Sequence, residues 1–179
     1  GVPVNRWNLV NGVLFQAAWF ACVLGGAAGT NLWGVAVLLL MLGQSLAGAA
    51  PARDMKLVAA LVPLGFLLDS AWIRFGVLDY GAALAPVWIV LLWAGVGLAV
   101  HHCLSWFKER PWLGGLLAGA GAPFSYLAGE RFGAVTIDDP IRLAAVSLVW
   151  LVLFAALFTV AAGGGPSSSS RRNDYERAH

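Results

Sequence analysis

Six apolar runs account for most of this 179-residue chain: 8–27, 32–50, 57–78, 87–106, 112–129 and 141–162. A helix rises about 1.5 Å per residue, so about 20 apolar residues cross a hydrocarbon layer about 30 Å thick. The pattern predicts an all-α membrane protein, a compact six-transmembrane-helix bundle. The chain is 60% hydrophobic and 11% charged, whereas a soluble domain carries about 25% charged residues. That contrast excludes a soluble fold and leaves no stretch long enough for a separate catalytic domain. The first run is followed by five more, so it reads as a permanent span and not as a cleaved signal. Residues 1–162 are expected to form the transmembrane domain. Residues 163–179, Gly/Ser-rich and then charged, read as a flexible tail.

The net charge of +2 says little, but its placement says more. Arg6, then Arg53 and Lys56, then Lys108 and Arg110, then Arg171, Arg172 and Arg177 fall on one side when six helices alternate. Basic residues in short loops mark the cytoplasmic side, so both termini are expected in the cytoplasm. Arg131 and Arg142 lie on the other side, near Glu130, Asp138 and Asp139. No basic face tracks a phosphate backbone, so nucleic acid is not an expected partner. The lipid bilayer is, with other membrane subunits or a second copy of the chain as further candidates. Gly115 and Gly119 form a small-xxx-small pair that lets another backbone approach, either within the monomer or across a dimer. Pro63 and Pro123 interrupt the backbone ladders of spans three and five. Cys22 and Cys103 fall at different depths and read as small buried apolar groups.

The polar groups inside the membrane carry the functional information. Asp69 lies in Leu64–Ser70, about 18 Å into its run. A carboxylate near the bilayer centre costs about 2.5–3.5 kcal/mol on insertion scales. It needs a partner, a water cavity or a proton, and is expected to face the bundle interior with Arg74 or Arg131 as the nearest cation. His101 and His102 are adjacent, and the chain's third histidine is His179. A bis-histidine haem between two spans is therefore excluded, and no cofactor or metal is predicted. Asn11, Gln16 and Gln44 share the inner half of the membrane with the histidines. They read either as interhelical hydrogen bonds or as a pocket open to the cytoplasm, with His102, not His101, facing the amides. Tyr126 and Glu130 are four residues apart and share a helical face. HExxH, CxxC, GxSxG and Walker A motifs are absent, which makes an enzyme the weaker reading.

Several blocks resemble a known family. They are Asn11 to Gly25, Leu67–Ser70, Ala85–Pro86 with Trp88 and Trp93, His102–Trp106, and Gly121–Gly129 with Arg131 and Gly133. Together they resemble a family of small bacterial inner-membrane proteins catalogued as a domain of unknown function. His101 and Cys103 replace an Asn and a Ser of the family pattern. The resemblance implies a multi-pass protein of the bacterial inner membrane and no particular activity. It singles out Asn11, Gln16, Asp69, His102, Tyr126 and Arg131 as substrate-binding or gating candidates. The leading expectation is transporter-like binding of a small molecule or lipid. Asp69 would be the coupling group, Asn11, Gln16 and His102 would line an inner pocket, and Tyr126 with Arg131 would close the outer side. The alternatives are an accessory subunit of a larger membrane complex and a lipid-modifying enzyme using His102 or Asp69.

Overall fold

A computed structural model describes residues 5–163, so the expected tail beyond Gly163 lies outside the described residues. Six helices follow one another: α1 (Arg6–Ala27), α2 (Leu32–Leu46), α3 (Pro51–Arg74), α4 (Val87–Gly97), α5 (Pro111–Arg131) and α6 (Leu143–Gly163). By length and apolar composition α1, α3 and α6 are long enough to cross a membrane, while α2 and α4 are apolar but shorter. The chain is a multi-pass membrane protein. Large apolar side chains turn outward along the bundle, among them Val13, Leu39, Leu40, Leu67, Phe124 and Val160. In water such a surface would be costly, whereas in a bilayer it meets acyl chains.

The helices form two groups. α1 to α4 pack on one another, with α3 against α4 and α1 against both α2 and α4, while α5 pairs closely with α6. The close α5–α6 pairing follows from Gly115 and Gly119. A Cβ on Gly115 would lie 2.5 Å from the Leu151 carbonyl oxygen, and one on Gly119 would lie 2.8 Å from that of Ser147. The small-xxx-small face is thus covered by α6 of the same chain.

Two corrections to the expected spans position the polar groups. First, α3 begins at Pro51, six residues before its apolar run. Proline suits a first helical turn, whose amides lack partners, and Asp54 complements the positive helix end there. Second, the fourth run is a broken helix. Regular structure stops at Gly97, residues 98–104 form irregular turns, and a 3₁₀ helix follows over Ser105–Glu109. The His102 amide bonds the Ala99 carbonyl, and the Leu104 amide also reaches Ala99. Leu98 carbonyl and Cys103 amide thereby lose their helical partners. In a membrane such groups must be satisfied by protein.

At the opposite end, α3 and α5 finish alike. Gly76 (φ 66°) and Gly133 (φ 80°) take the left-handed conformation just past each helix, which only glycine adopts without strain. Each turn feeds a two-residue strand, β1 (Leu78–Asp79) or β2 (Thr136–Ile137). The strands pair antiparallel, Leu78 opposite Ile137 and Asp79 opposite Thr136. This clasp joins the two helical groups and sets Tyr80 above the end of α3.

Candidate functional site

Asp69 has no exposed surface and accepts three hydrogen bonds. Tyr80 donates to Oδ1 at 2.7 Å, Tyr126 donates to the same oxygen at 2.9 Å, and the Trp93 indole donates to Oδ2 at 2.8 Å. Three neutral donors take the place of the expected cation. Arg74 and Arg131 are exposed instead. Gly65, one turn before Asp69, makes the Trp93 contact possible. A side chain there would overlap the Trp93 ring, so the glycine is the seat in which the indole lies to reach the carboxylate.

Tyr126 and Trp93 also form part of the wall of a cavity of about 330 Å³ between the two helical groups. Its lining is almost wholly apolar. α1 supplies Phe15 and Trp19, α4 supplies Trp88 and Trp93, and α6 supplies Trp150 and Phe154. α5 contributes Gly114, Ala118, Gly121, Ser125 and Gly129, which recur every three or four residues and so share one helical face. That smooth face runs for about 22 Å along α5. The volume falls at the lower end of the roughly 300–1,000 Å³ seen for small-molecule pockets. It suits one chain or ring system and is too small for a whole two-chain lipid.

The other sequence candidates fall elsewhere. Asn11 is buried and repairs the broken helix: its amide nitrogen donates to the Leu98 carbonyl at 3.1 Å, and its oxygen accepts from the Cys103 amide at 3.2 Å. The same nitrogen bonds Gln44 Oε1 at 3.0 Å, and Gln44 in turn donates to the Trp7 carbonyl. His102 does not join these amides, contrary to expectation. Its Nε2 lies 2.7 Å from Asp54 Oδ2, which also accepts from the Ser45 hydroxyl at 2.6 Å. The broken helix explains the difference, because residues 101 and 102 lie on irregular turns and not on a continuous helical face. His101 meets Lys108, with Nζ 3.2 Å from Nδ1. Burial, reinforced by nearby Arg53, holds the Lys108 amine below the usual lysine range. Gln16 is exposed at the middle of α1, and beside it Trp19 donates to the Ser125 hydroxyl at 3.1 Å. Arg131 ends α5 on the surface, away from Asp69's partners. Glu130 accepts from the Ile137 amide and so fixes β2.

The structure therefore brings Asp69 and Tyr126 together and leaves Asn11, Gln16, His102 and Arg131 outside that cluster. Sequence reasoning missed Tyr80, which sits in a loop, and Asp54, which precedes its apolar run. It quoted Trp93 without assigning it a partner. Among the described residues no group of three or more His, Cys, Asp or Glu side chains could hold a metal ion. The two cysteines are free. No curated protein and no solved structure matches the chain. Residues 8–156 match the family described as protein of unknown function DUF2878, and the chain belongs to that family.

Proposed function

We propose that this protein binds a single apolar chain or ring system, drawn sideways from the bilayer, in the cavity between its two helical groups. The observation that carries the proposal is the cavity itself. It is apolar and of ligand size, is floored by the small-residue face of α5, and is walled by tryptophans. A close-packed membrane protein retains few voids larger than a water molecule, and one of this size bordered by lipid-facing helices offers a place to an acyl chain. In this reading Asp69 is a positioning group: it holds Tyr126 and Trp93 in the wall, and being enclosed by neutral donors it does not exchange ions with solvent. Lateral binding is the transporter-like step that the geometry supports. The membrane is taken as a bacterial inner membrane. Six spans and cytoplasmic termini fit the distribution of basic residues, the fourth crossing being completed by the turns and 3₁₀ helix of residues 98–109.

Gly121 provides the test. It lines the cavity, and a Cβ added there meets nothing within 4 Å, so Gly121→Leu fills the space without disturbing the backbone. Native mass spectrometry of protein purified from membranes is expected to show a small bound molecule that Gly121→Leu loses while keeping its melting temperature. Equal retention by both proteins would refute the proposal.

A further inference from the structure

Gln16 is anomalous for the middle of a membrane helix. Its side chain is exposed and makes no hydrogen bond among the described residues. An amide without a partner in hydrocarbon is costly, and leucine would be expected at a purely lipid-facing site. Its surroundings give the position meaning. A smaller hollow is lined by Phe15, Gln16, Trp19 and Ser125, and three of these, Phe15, Trp19 and Ser125, also line the large cavity. Gln16 therefore stands at the point where the cavity meets the lipid, between α1 and α5. Ser125 adds a second polar group there. Its oxygen accepts from the Trp19 indole at 3.1 Å, and a hydroxyl also carries a proton to donate.

We propose that Gln16 and Ser125 form the head-group subsite of this cavity, and that its occupant is an uncharged single-chain amphiphile with a hydroxyl or ester head. The proposal rests on the cavity being a binding site. The chain would lie along the α5 face, and the head would stop at the mouth, exchanging hydrogen bonds with an amide and a hydroxyl. Charge decides between head groups. The mouth residues Phe15, Gln16, Trp19 and Ser125 are all neutral, so the hollow they line offers no counter-charge. A carboxylate or phosphate head would enter without a counter-charge, which is costly in a low dielectric. An ammonium head would leave a charge unpaired at membrane depth. A neutral head incurs neither cost and satisfies the stranded amide. The chain fits for the same reasons as before: one chain matches the volume and two do not.

Four cavity-lining tryptophans, Trp19, Trp88, Trp93 and Trp150, report on occupancy. Purified protein is titrated with three chain-brominated probes of equal length: a monoacylglycerol, the matching free fatty acid at pH 8, and a hydrocarbon without a head. Bromine inside the cavity quenches the tryptophans. The monoacylglycerol is expected to bind about tenfold more tightly than the acid or the hydrocarbon, since two net hydrogen bonds together are worth about one factor of ten or more. Gln16→Met keeps the length and apolar stem of the side chain and breaks no bond within the fold. It is expected to cut that preference to about threefold, the share of the remaining Ser125 bond, while leaving hydrocarbon quenching unchanged. Preferential binding of the acid, or a preference that survives both Gln16→Met and Ser125→Ala, would overturn the head-group assignment and leave the cavity reading intact. Absence of quenching by every probe would overturn the cavity reading itself. Burial of Gln16 against a second protein in cross-linking from intact membranes would overturn the subsite as drawn.

Discussion

Gly65→Ala is the smallest change that tests how the Asp69 cluster is built. The added methyl would overlap the Trp93 ring, and an indole cannot yield at its attached end without leaving its rotamer. Overpacking of this kind costs about 1–3 kcal/mol. Displacing the ring also breaks the 2.8 Å bond from Trp93 to Asp69, and leaving that buried acceptor atom unsatisfied costs about 1–3 kcal/mol. Alanine returns about 1 kcal/mol through better helix propensity, so the net loss is about 1–5 kcal/mol. Gly43→Ala on α2 is the control, because nothing lies within 4 Å of a Cβ there, and it should be neutral or slightly stabilising. Thermal unfolding in detergent micelles measures both. The decisive comparison repeats Gly65→Ala in a Trp93→Ala background, where no ring remains to be displaced. The cost should then disappear. If Gly65→Ala is as mild as Gly43→Ala, or equally severe with and without Trp93, the glycine does not seat the indole and the derivation is wrong.

The other predictions concern the inner end and the topology. His102→Ala strips buried Asp54 of its imidazole and leaves it one hydroxyl, and should cost about 3 kcal/mol in the same unfolding assay. His101→Ala frees Lys108 to reach water and should cost less than about 1 kcal/mol. Asn11→Leu strands the Leu98 carbonyl and the Cys103 amide, and hydrogen exchange at residues 98–104 should rise sharply while exchange in α5 and α6 stays unchanged. Fusion reporters at Thr30, Ala82 and Thr136 should read as periplasmic, and a cytoplasmic signal from any of the three breaks the six-span topology.

What the sequence reveals follows from which forces leave a local trace. Asp69 and Tyr126 stand out because a polar group in an apolar run violates the local pattern, and both belong to one cluster. Gly115 and Gly119 announce a close helix contact by spacing alone. Tyr80 leaves no such trace: a tyrosine in a loop is ordinary, and only the β1–β2 clasp, a pairing of distant segments, brings its hydroxyl to Asp69. Asp54 hides for a related reason, since hydropathy starts the third span at residue 57 whereas helix capping starts it at Pro51. The break in α4 is invisible to hydropathy because residues 98–104 lie inside one long apolar run, 87–106, with no glycine or proline among them. What changes there is the hydrogen-bond ladder, and its signature is Asn11, far away in sequence. Those two hidden facts together explain why His102 meets Asp54 and not the amides.

The central claim is that the space between the two helical groups takes an apolar chain. Electron cryo-microscopy of the protein in lipid nanodiscs, at a resolution that shows side chains, tests it most directly. The expected result is one elongated density lying against Gly121 and Ala118 of α5, bounded by Trp88, Trp93 and Trp150, with its polar end at Gln16 and Ser125. A closed interior, with the α5 face packed against α4 and no room for a chain, would contradict it.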